Sequence, residues 1–411
     1  MLRSMFAGVS GMRAHQLMLD VVSNNIANVN TGGFKSSRVQ FADALSETLR
    51  NAAGTTAANS AVNPLQVGLG VVVKSTSTLF STGSFQLTDR PFDSAISGDG
   101  FYIVNVKGEE LYTRAGSFNL DNTLTLVDGS GGKVQGWMAD ATGQLDSVGA
   151  VRDIDLSDYQ SVPAQAATSM KIRGSLSVNT NVGTVIDSLA KVVDGLGIEN
   201  TVTVRYEKVS DNNWTMKLFD DTNAQIGSTV ALQFDPASGH LVSPTTDPTF
   251  TLTPTTSGAD PFTFAVDLGA GNDGLHQYGG TTVVSTTQDG RGPGQLRDYG
   301  IAADGVISGR YSNGVILDIA RIAVATFGNN EGLKKVGEAH YRSTQVSGEA
   351  VRGIAGEGNV GDIRSGVLEM SNVDLGREFT DLILAQRGFQ ANSRVITTSD
   401  EMVQELVNLK R

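Results

Sequence analysis

Residues 371–411 constrain this chain more than any other stretch. Leu375, Phe379, Leu382, Gln386, Phe389, Ser393, Ile396, Asp400, Val403 and Val407 recur at alternating spacings of four and three. That is a seven-residue repeat, the pattern of a helix with a continuous contact seam. Leu375, Leu382, Phe389, Ile396 and Val403 fill one row with apolar side chains, whereas the alternate row carries Gln386, Ser393 and Asp400. Ser371 and Asp374 read as a capping box. Asp374, Glu378 and Asp381 crowd the first turns and Lys410 with Arg411 close the last, the charge order a helix dipole favours. No proline interrupts the run, so the helix would be about 60 Å long.

A helix of that length does not hold itself together in water, and a polar row weakens a simple two-helix pairing. The other end of the chain supplies a partner: Leu2, Met5, Val9, Met12, Gln16, Leu19, Ser23 and Ile26 follow the same alternation, and the run stops at Asn30-Thr31-Gly32-Gly33. An intramolecular helical hairpin on a globular body is the simplest reading. Polar rows on both seams argue further for helices of neighbouring molecules, hence a polymer. The expected interface residues are Leu2, Met5, Val9, Met12, Leu19 and Ile26 at one end and Leu375, Phe379, Leu382, Gln386, Phe389, Ile396, Val403 and Val407 at the other.

The 411 residues between and including these ends allow two or three domains. Only 18% are charged and 48 are glycine, a composition that suits strands and turns. A net charge of −12 disfavours a nucleic-acid partner. The absence of cysteine removes disulfides, thiol catalysis and cysteine-ligated metal. No apolar stretch is long enough for membrane insertion, and Gln16 and Asp20 break up any signal-peptide core, so export would leave the N-terminus in place.

Along the chain, 31–66 reads as a connector. Phe41–Leu45 would begin a short helix reaching Arg50, and residues 51–63 are too poor in apolar groups to bury much. Residues 67–149 carry β patterns, including a hairpin from Gly100–Val106 through Lys107-Gly108-Glu109 to Leu111–Arg114, and a second pair at Phe118–Asp121 and Thr123–Val127. Residues 151–290 hold six of the nine prolines and read as a separate, inserted β-rich lobe. Within it, Thr184 and Asp187 would cap a helix with Val185, Ile186, Leu189, Val192, Val193 and Leu196 on one face, while Val202–Tyr206 and Trp214–Phe219 would be strands around an Asp211-Asn212-Asn213 turn. Residues 293–366 return to the first β flavour, with an Asn313-Gly314 hairpin and an apolar strand over Ile319–Phe327. The expected architecture is therefore mainly β with long terminal α-helices: a discontinuous multidomain chain of paired coiled-coil helices (1–30 and 371–411), an inner β domain (67–149 and 293–366) and the inserted lobe (151–290).

No residue set points to catalysis, a cofactor or a metal. His15, His240, His276 and His340 stand at no metal or triad spacing. Gly356–Gly361 matches GxGxxG in letters, but no helix opens directly from it, as a dinucleotide site requires. Glu109-Glu110 falls in a hairpin turn, where a solvated pair is the ordinary outcome, and Asn272-Asp273-Gly274 reads as a glycine turn.

Gly8-Val9-Ser10-Gly11-Met12 and Asn24-Asn25-Ile26-Ala27-Asn28-Val29-Asn30-Thr31-Gly32-Gly33-Phe34-Lys35 resemble the N-terminal signature of the bacterial flagellar rod and hook axial family. Ser371–Leu375 and Ala385–Arg394 resemble its C-terminal signature, and Ala95–Phe101 and Tyr112–Phe118 its β-domain motifs. Asn24, Asn25, Asn28, Thr31, Gly33 and Phe34 are the motif residues at the first of these sites. The resemblance covers about 1–140 and 305–411, and the hook branch is nearest, on Phe41-Ala42-Asp43, Tyr311–Gly314 and Ala325–Gly337. It implies a non-enzymatic structural subunit that self-assembles into a curved tube outside the cell, passes through the flagellar type III export apparatus, and meets rod, hook-cap and hook-filament junction proteins. A distal rod subunit is the alternative, because the connector after Asn51 is long. A secreted adhesive protein with a helical stalk is the reading from another class.

Overall fold

The structure, a computed structural model, describes residues 2–52, 63–140, 143–146 and 149–408. It is mainly β, with one long helix at each end: α1, Leu2–Ala27, and α2, Leu375–Asn408. Residues 53–62, most of the apolar-poor connector, and Lys410 with Arg411 lie outside the described residues. No helix among those described is long and apolar enough to cross a membrane. The chain divides into two compact units, Met1–Ser157 with Tyr299–Ser308 and Leu317–Arg411, and Asp158–Asp298 with Gly309–Ile316.

The first unit holds both helices. Strand Phe101–Val106 is central to its β portion. It pairs with Glu109–Thr113 through a turn in which Lys107 and Gly108 both take positive φ (55° and 87°), the geometry a two-residue hairpin needs. Its other edge takes Lys133–Met138 at Val104 and Asn105, and Val324–Thr326 at Phe101 and Tyr102. The apolar run 319–327 is thus two strands. Ile316–Ile322 pairs with Lys133–Met138, and beyond Ala323 the chain changes partner. The core is aromatic: Phe80 meets Phe101 edge-on at 5.3 Å, and Tyr112 meets Phe327 at 4.8 Å. Glu109 and Glu110, expected to be solvated, form ion pairs with Arg342 and Arg352.

Residues 41–43 and 46–50 are strand, where a short helix was expected. Ser37–Asp43 pairs with Val71–Thr78, and Ser46–Arg50 pairs with Leu65–Gly68. Val39 and Phe41 read as easily into a pleat as into a helix, and the β-branched strand Val71–Thr78 decides between them.

The second unit contains two five-stranded sheets. One is an antiparallel meander of Val185–Val193, Glu199–Ser210, Asn213–Phe219, Gln225–Phe234 and Leu241–Ser243. In the other, Ser169–Ser177 lies parallel to Phe262–Asp267 and Leu275–Tyr278 and antiparallel to Val283–Gln288. Val202, Val204 and Tyr206 alternate inward and share a core with Trp214, Phe234, Phe250 and Phe264. The helix expected over 184–196 is the strand Val185–Val193. Asp187 makes no cap there, but pairs with Arg205 across the ladder at 2.7 Å. The run's apolar residues also fit a period of two: Ile186, Ala190 and Val192 face inward, while Leu189 is exposed. The adjacent long strand overrides the helical spacing.

The capping box at the C-terminal helix is corrected too. Asp374, not Ser371, is the cap, its Oδ1 accepting from the backbone N–H of Gly376 at 2.9 Å and of Arg377 at 3.3 Å. Around Gly356–Gly361 the chain turns without opening a helix.

Candidate assembly surface

The two helices lie side by side and antiparallel. Going up α1, Ser4, Gly8, Gly11, His15 and Asn25 meet Ser399, Ile396, Asn392, Gly388 and Glu378, in descending order along α2. Small residues set the approach. A methyl group added at Gly11 would lie 2.8 Å from the Asn392 amide, and one at Gly388 would lie 2.5 Å from the His15 ring. The glycines thus leave room for the Asn392 and His15 side chains of the facing helix, room that a larger residue would fill.

The contact between the two helices of one chain thus runs one residue away from the heptad rows. On α1 the contact line runs through Ser4, Gly8, Gly11, His15 and Asn25. Met5, Val9, Met12, Leu19 and Ile26 flank it, half-buried. On α2 the row Leu382, Phe389, Ile396 and Val403 is half-buried, and its companion row is Glu378, Ala385, Asn392 and Ser399. Leu375, Phe379, Gln386 and Val407 point to solvent instead. The side chain of Leu2 lies outside the described residues. Weighing side chains by apolarity picks out Leu, Met and Phe, whereas closest approach picks out Gly, Ala and Ser.

The consequence is a large apolar surface left uncovered. Phe6 is 69% exposed, Leu384 57% and Phe379 51%, and Leu17, Ile383, Val395 and Met402 join them. Folded monomers seldom leave such a set of large apolar side chains to water unless another molecule covers it.

Below the helices, the motif residues act as fasteners. Asn25 is buried. Its Nδ2 donates to the Ser37 carbonyl at 2.8 Å and to Glu378 Oε1 at 3.1 Å, while its Oδ1 accepts from Ser37 N at 3.0 Å. Burial raises the Glu378 carboxyl above its ordinary range, against the opposing effect of Asn25. Asn28 Nδ2 donates to the Asn24 carbonyl and side chain at 2.9 and 3.0 Å, and Thr31 Oγ1 donates to Asn28 Oδ1 at 3.1 Å, which closes the end of α1. Gly33 has φ +68°, and a Cβ there would sit 2.5 Å from the Ala115 nitrogen; its own N–H donates to the Glu369 carbonyl at 2.7 Å. The Lys335 ammonium lies 4.8 Å from the Phe34 ring centroid.

Sequence reasoning missed the charged cluster beneath them. Lys35 Nζ donates to Glu369 Oε1 at 2.6 Å, and neither side chain is exposed. The same oxygen accepts Gly83 N at 2.9 Å, and Lys35 also donates to the Ser81 carbonyl at 2.8 Å. Arg114, equally buried, stands 3.8 Å from Glu369 Oε2 and donates to the Gly98 carbonyl at 2.8 Å. Desolvation pulls the Lys35 ammonium down, opposed by Glu369. Next to it, Asn372 takes Ser36 N on its Oδ1 and donates to the Leu79 carbonyl, both at 2.8 Å. The only sequence signal was that Lys35 closes the Asn24–Lys35 motif. The arrangement ties the N-terminal motif to the segment that leads into the C-terminal helix. Among the described residues no cluster of three or more His, Asp or Glu could hold a metal.

Comparison with known families covers most of the chain. The profile of the flagella basal body rod protein matches residues 5–35, and that of the flagellar hook protein FlgE/F/G D1 domain matches 95–188. The flagellar basal body protein FlaE D2 domain matches 187–291, and the flagellar basal body rod FlgEFG protein C-terminal region matches 364–409. The chain is 37% identical to the flagellar hook protein FlgE of Borreliella burgdorferi over the full length of both. It is 35% identical to that of Escherichia coli over 98% of each. The flagellar basal-body rod protein FlgG of Bacillus subtilis is 31% identical over both full lengths. The crystal structure of Helicobacter pylori flagellar hook protein FlgE2 shares the fold, with TM-score 0.52 at 15% identity over 69% of this chain and all of that one.

Proposed function

The chain belongs to the flagellar hook protein family, and from that premise we propose how it works as the repeating structural subunit of the hook. The observation that carries the reading is the helix pair: it spends its small residues on its own contact and leaves Phe6, Phe379, Ile383 and Leu384 outside. In the tube these residues, with the seam positions named from the sequence, pack against helices of neighbouring subunits. A head-to-tail contact of this kind does not close on itself and gives an open helical polymer. Each large apolar side chain fully covered contributes roughly 1.5–3 kcal/mol. The helices supply axial strength. The lobe over 151–290 lies outermost and slides on its neighbours through small polar contacts, so the tube bends as it rotates. Export through the flagellar type III apparatus, and ends meeting rod, cap and junction proteins, complete the reading.

Electron microscopy of basal bodies from cells lacking this protein tests it. A complete rod without a hook is the expected outcome. A truncated rod would instead assign the chain to the distal rod, in keeping with its 31% identity to a rod protein. Intact flagella would overturn both.

A further inference from the structure

Two of the four histidines, 36 positions apart in sequence, come together in the second unit. His240 and His276 form an antiparallel bridge, and Gln277 N donates to the Gly239 carbonyl at 2.8 Å. That bond pattern marks a non-hydrogen-bonded pair, the type in which facing Cα atoms approach to about 4.5 Å and side chains stand closest on one face. The ring centroids are 5.2 Å apart and the planes cross at 72°. The Nδ1 atoms of both rings are buried and have no partner, and His276 is 8% exposed. Buried polar atoms are normally paired, and two orphans side by side require an account.

We propose that His240 and His276 form a binding site for a divalent transition-metal ion of the zinc, copper or nickel type. An ion held tetrahedrally at about 2.1 Å from one nitrogen of each ring would set the centroids about 5 Å apart, close to the spacing already present. Neutral imidazole pairs suit these metals, whereas magnesium and calcium require oxygen ligands. The nearest carboxylate in the turn, Asp235, is committed to Ser238, accepting its hydroxyl at 2.5 Å and its N–H at 3.1 Å. Water therefore completes the coordination. The Tyr278 ring, 5.2 Å from that of His276, walls one side. The ion would tie the end of the meander, just before the strand Leu241–Ser243, to Leu275–Tyr278 of the other sheet, where an isolated bridge joins them.

The test is calorimetric titration of the full chain with zinc chloride at pH 7.5, with magnesium chloride as the hard-cation control. About one zinc ion should bind per chain, magnesium should not, and His240→Ala should weaken binding on the order of 100-fold. Because His276 is buried, its own variant should be His276→Gln, with circular dichroism of each protein to verify the fold. Absence of zinc binding at millimolar concentration would overturn the proposal. So would zinc binding that survives unchanged in a folded His240→Ala, or equal saturation by magnesium.

Discussion

Lys35 and Glu369 meet at 2.6 Å across 334 residues of chain, with both side chains fully buried. One ends the N-terminal motif and the other stands just before α2, so this contact fixes both helices to the same β body. Removing one partner strands the other charge in a dry site. Glu369→Gln should therefore destabilise the first unit by about 3–5 kcal/mol, read as a lowered denaturation midpoint. Its effect and that of Lys35→Met should be strongly non-additive in a double-mutant cycle.

The outward and inward faces of α2 should separate two functions. Phe379→Asp and Ile383→Asp place charges on exposed positions, so the monomer should keep its unfolding temperature yet fail to polymerise. Ala385→Asp places a charge in the helix contact and should lower stability as well. Leu382→Asp and Phe389→Asp, on the half-buried row, should block assembly while the β units stay folded. Sedimentation of assembled tubes beside thermal melts of the monomer distinguishes these outcomes. Normal polymerisation of the Phe379 and Ile383 variants would remove the role given to the exposed face.

Glu378 gives a signed pH effect. Its carboxyl is raised in the folded chain, chiefly by burial. Such a group favours the fold most when protonated, below its unfolded value of about 4.3, and that contribution disappears as pH rises through the folded value. Glu378→Gln keeps an acceptor for Asn25 and cannot ionise. Its melting temperature should thus exceed that of the wild type at neutral pH, and the gap should close on acidification toward pH 4. A constant gap would show that the effect is not ionic.

Gly33→Ala should cost about 1–3 kcal/mol. The substitution meets backbone at 2.5 Å and a positive φ at once, so no side-chain movement relieves it. Gly108→Ala, where nothing lies within 4 Å of the added carbon, isolates the cost of positive φ alone. The Gly33 variant should melt clearly lower than the Gly108 variant.

The parts legible in sequence are those whose signal is local. The heptads announced both helices, and Gly108 and Gly314 announced their turns because both take the positive φ that glycine adopts without cost. Residues 184–196 misled because an apolar run of that length fits both periods, and its partner strand lies just beyond the window in which a period is read. The line along which the two helices of one chain meet lies one residue from the heptad rows, for a different reason. Hydrophobicity does not reveal that Gly8, Gly11 and Gly388 make room for the facing Ile396, Asn392 and His15 side chains. The Lys35–Glu369–Arg114 cluster and the His240–His276 pair were invisible, since no local rule joins residues so far apart.

The fastener between Asn25 and Glu378 joins residues 353 positions apart, and this separation bears on the order of events as the chain folds. Closing a free loop of that size costs about 5 kcal/mol of chain entropy by length alone. The hairpins of both units close over a few residues each and form first. Only when they have drawn Lys35 and Glu369 together does the helix pair become cheap to dock. The helix pair that presents Phe6, Phe379 and Leu384 is then the last part of the molecule to be set in place, so the assembly surface takes its final geometry only on a chain whose β units have already folded.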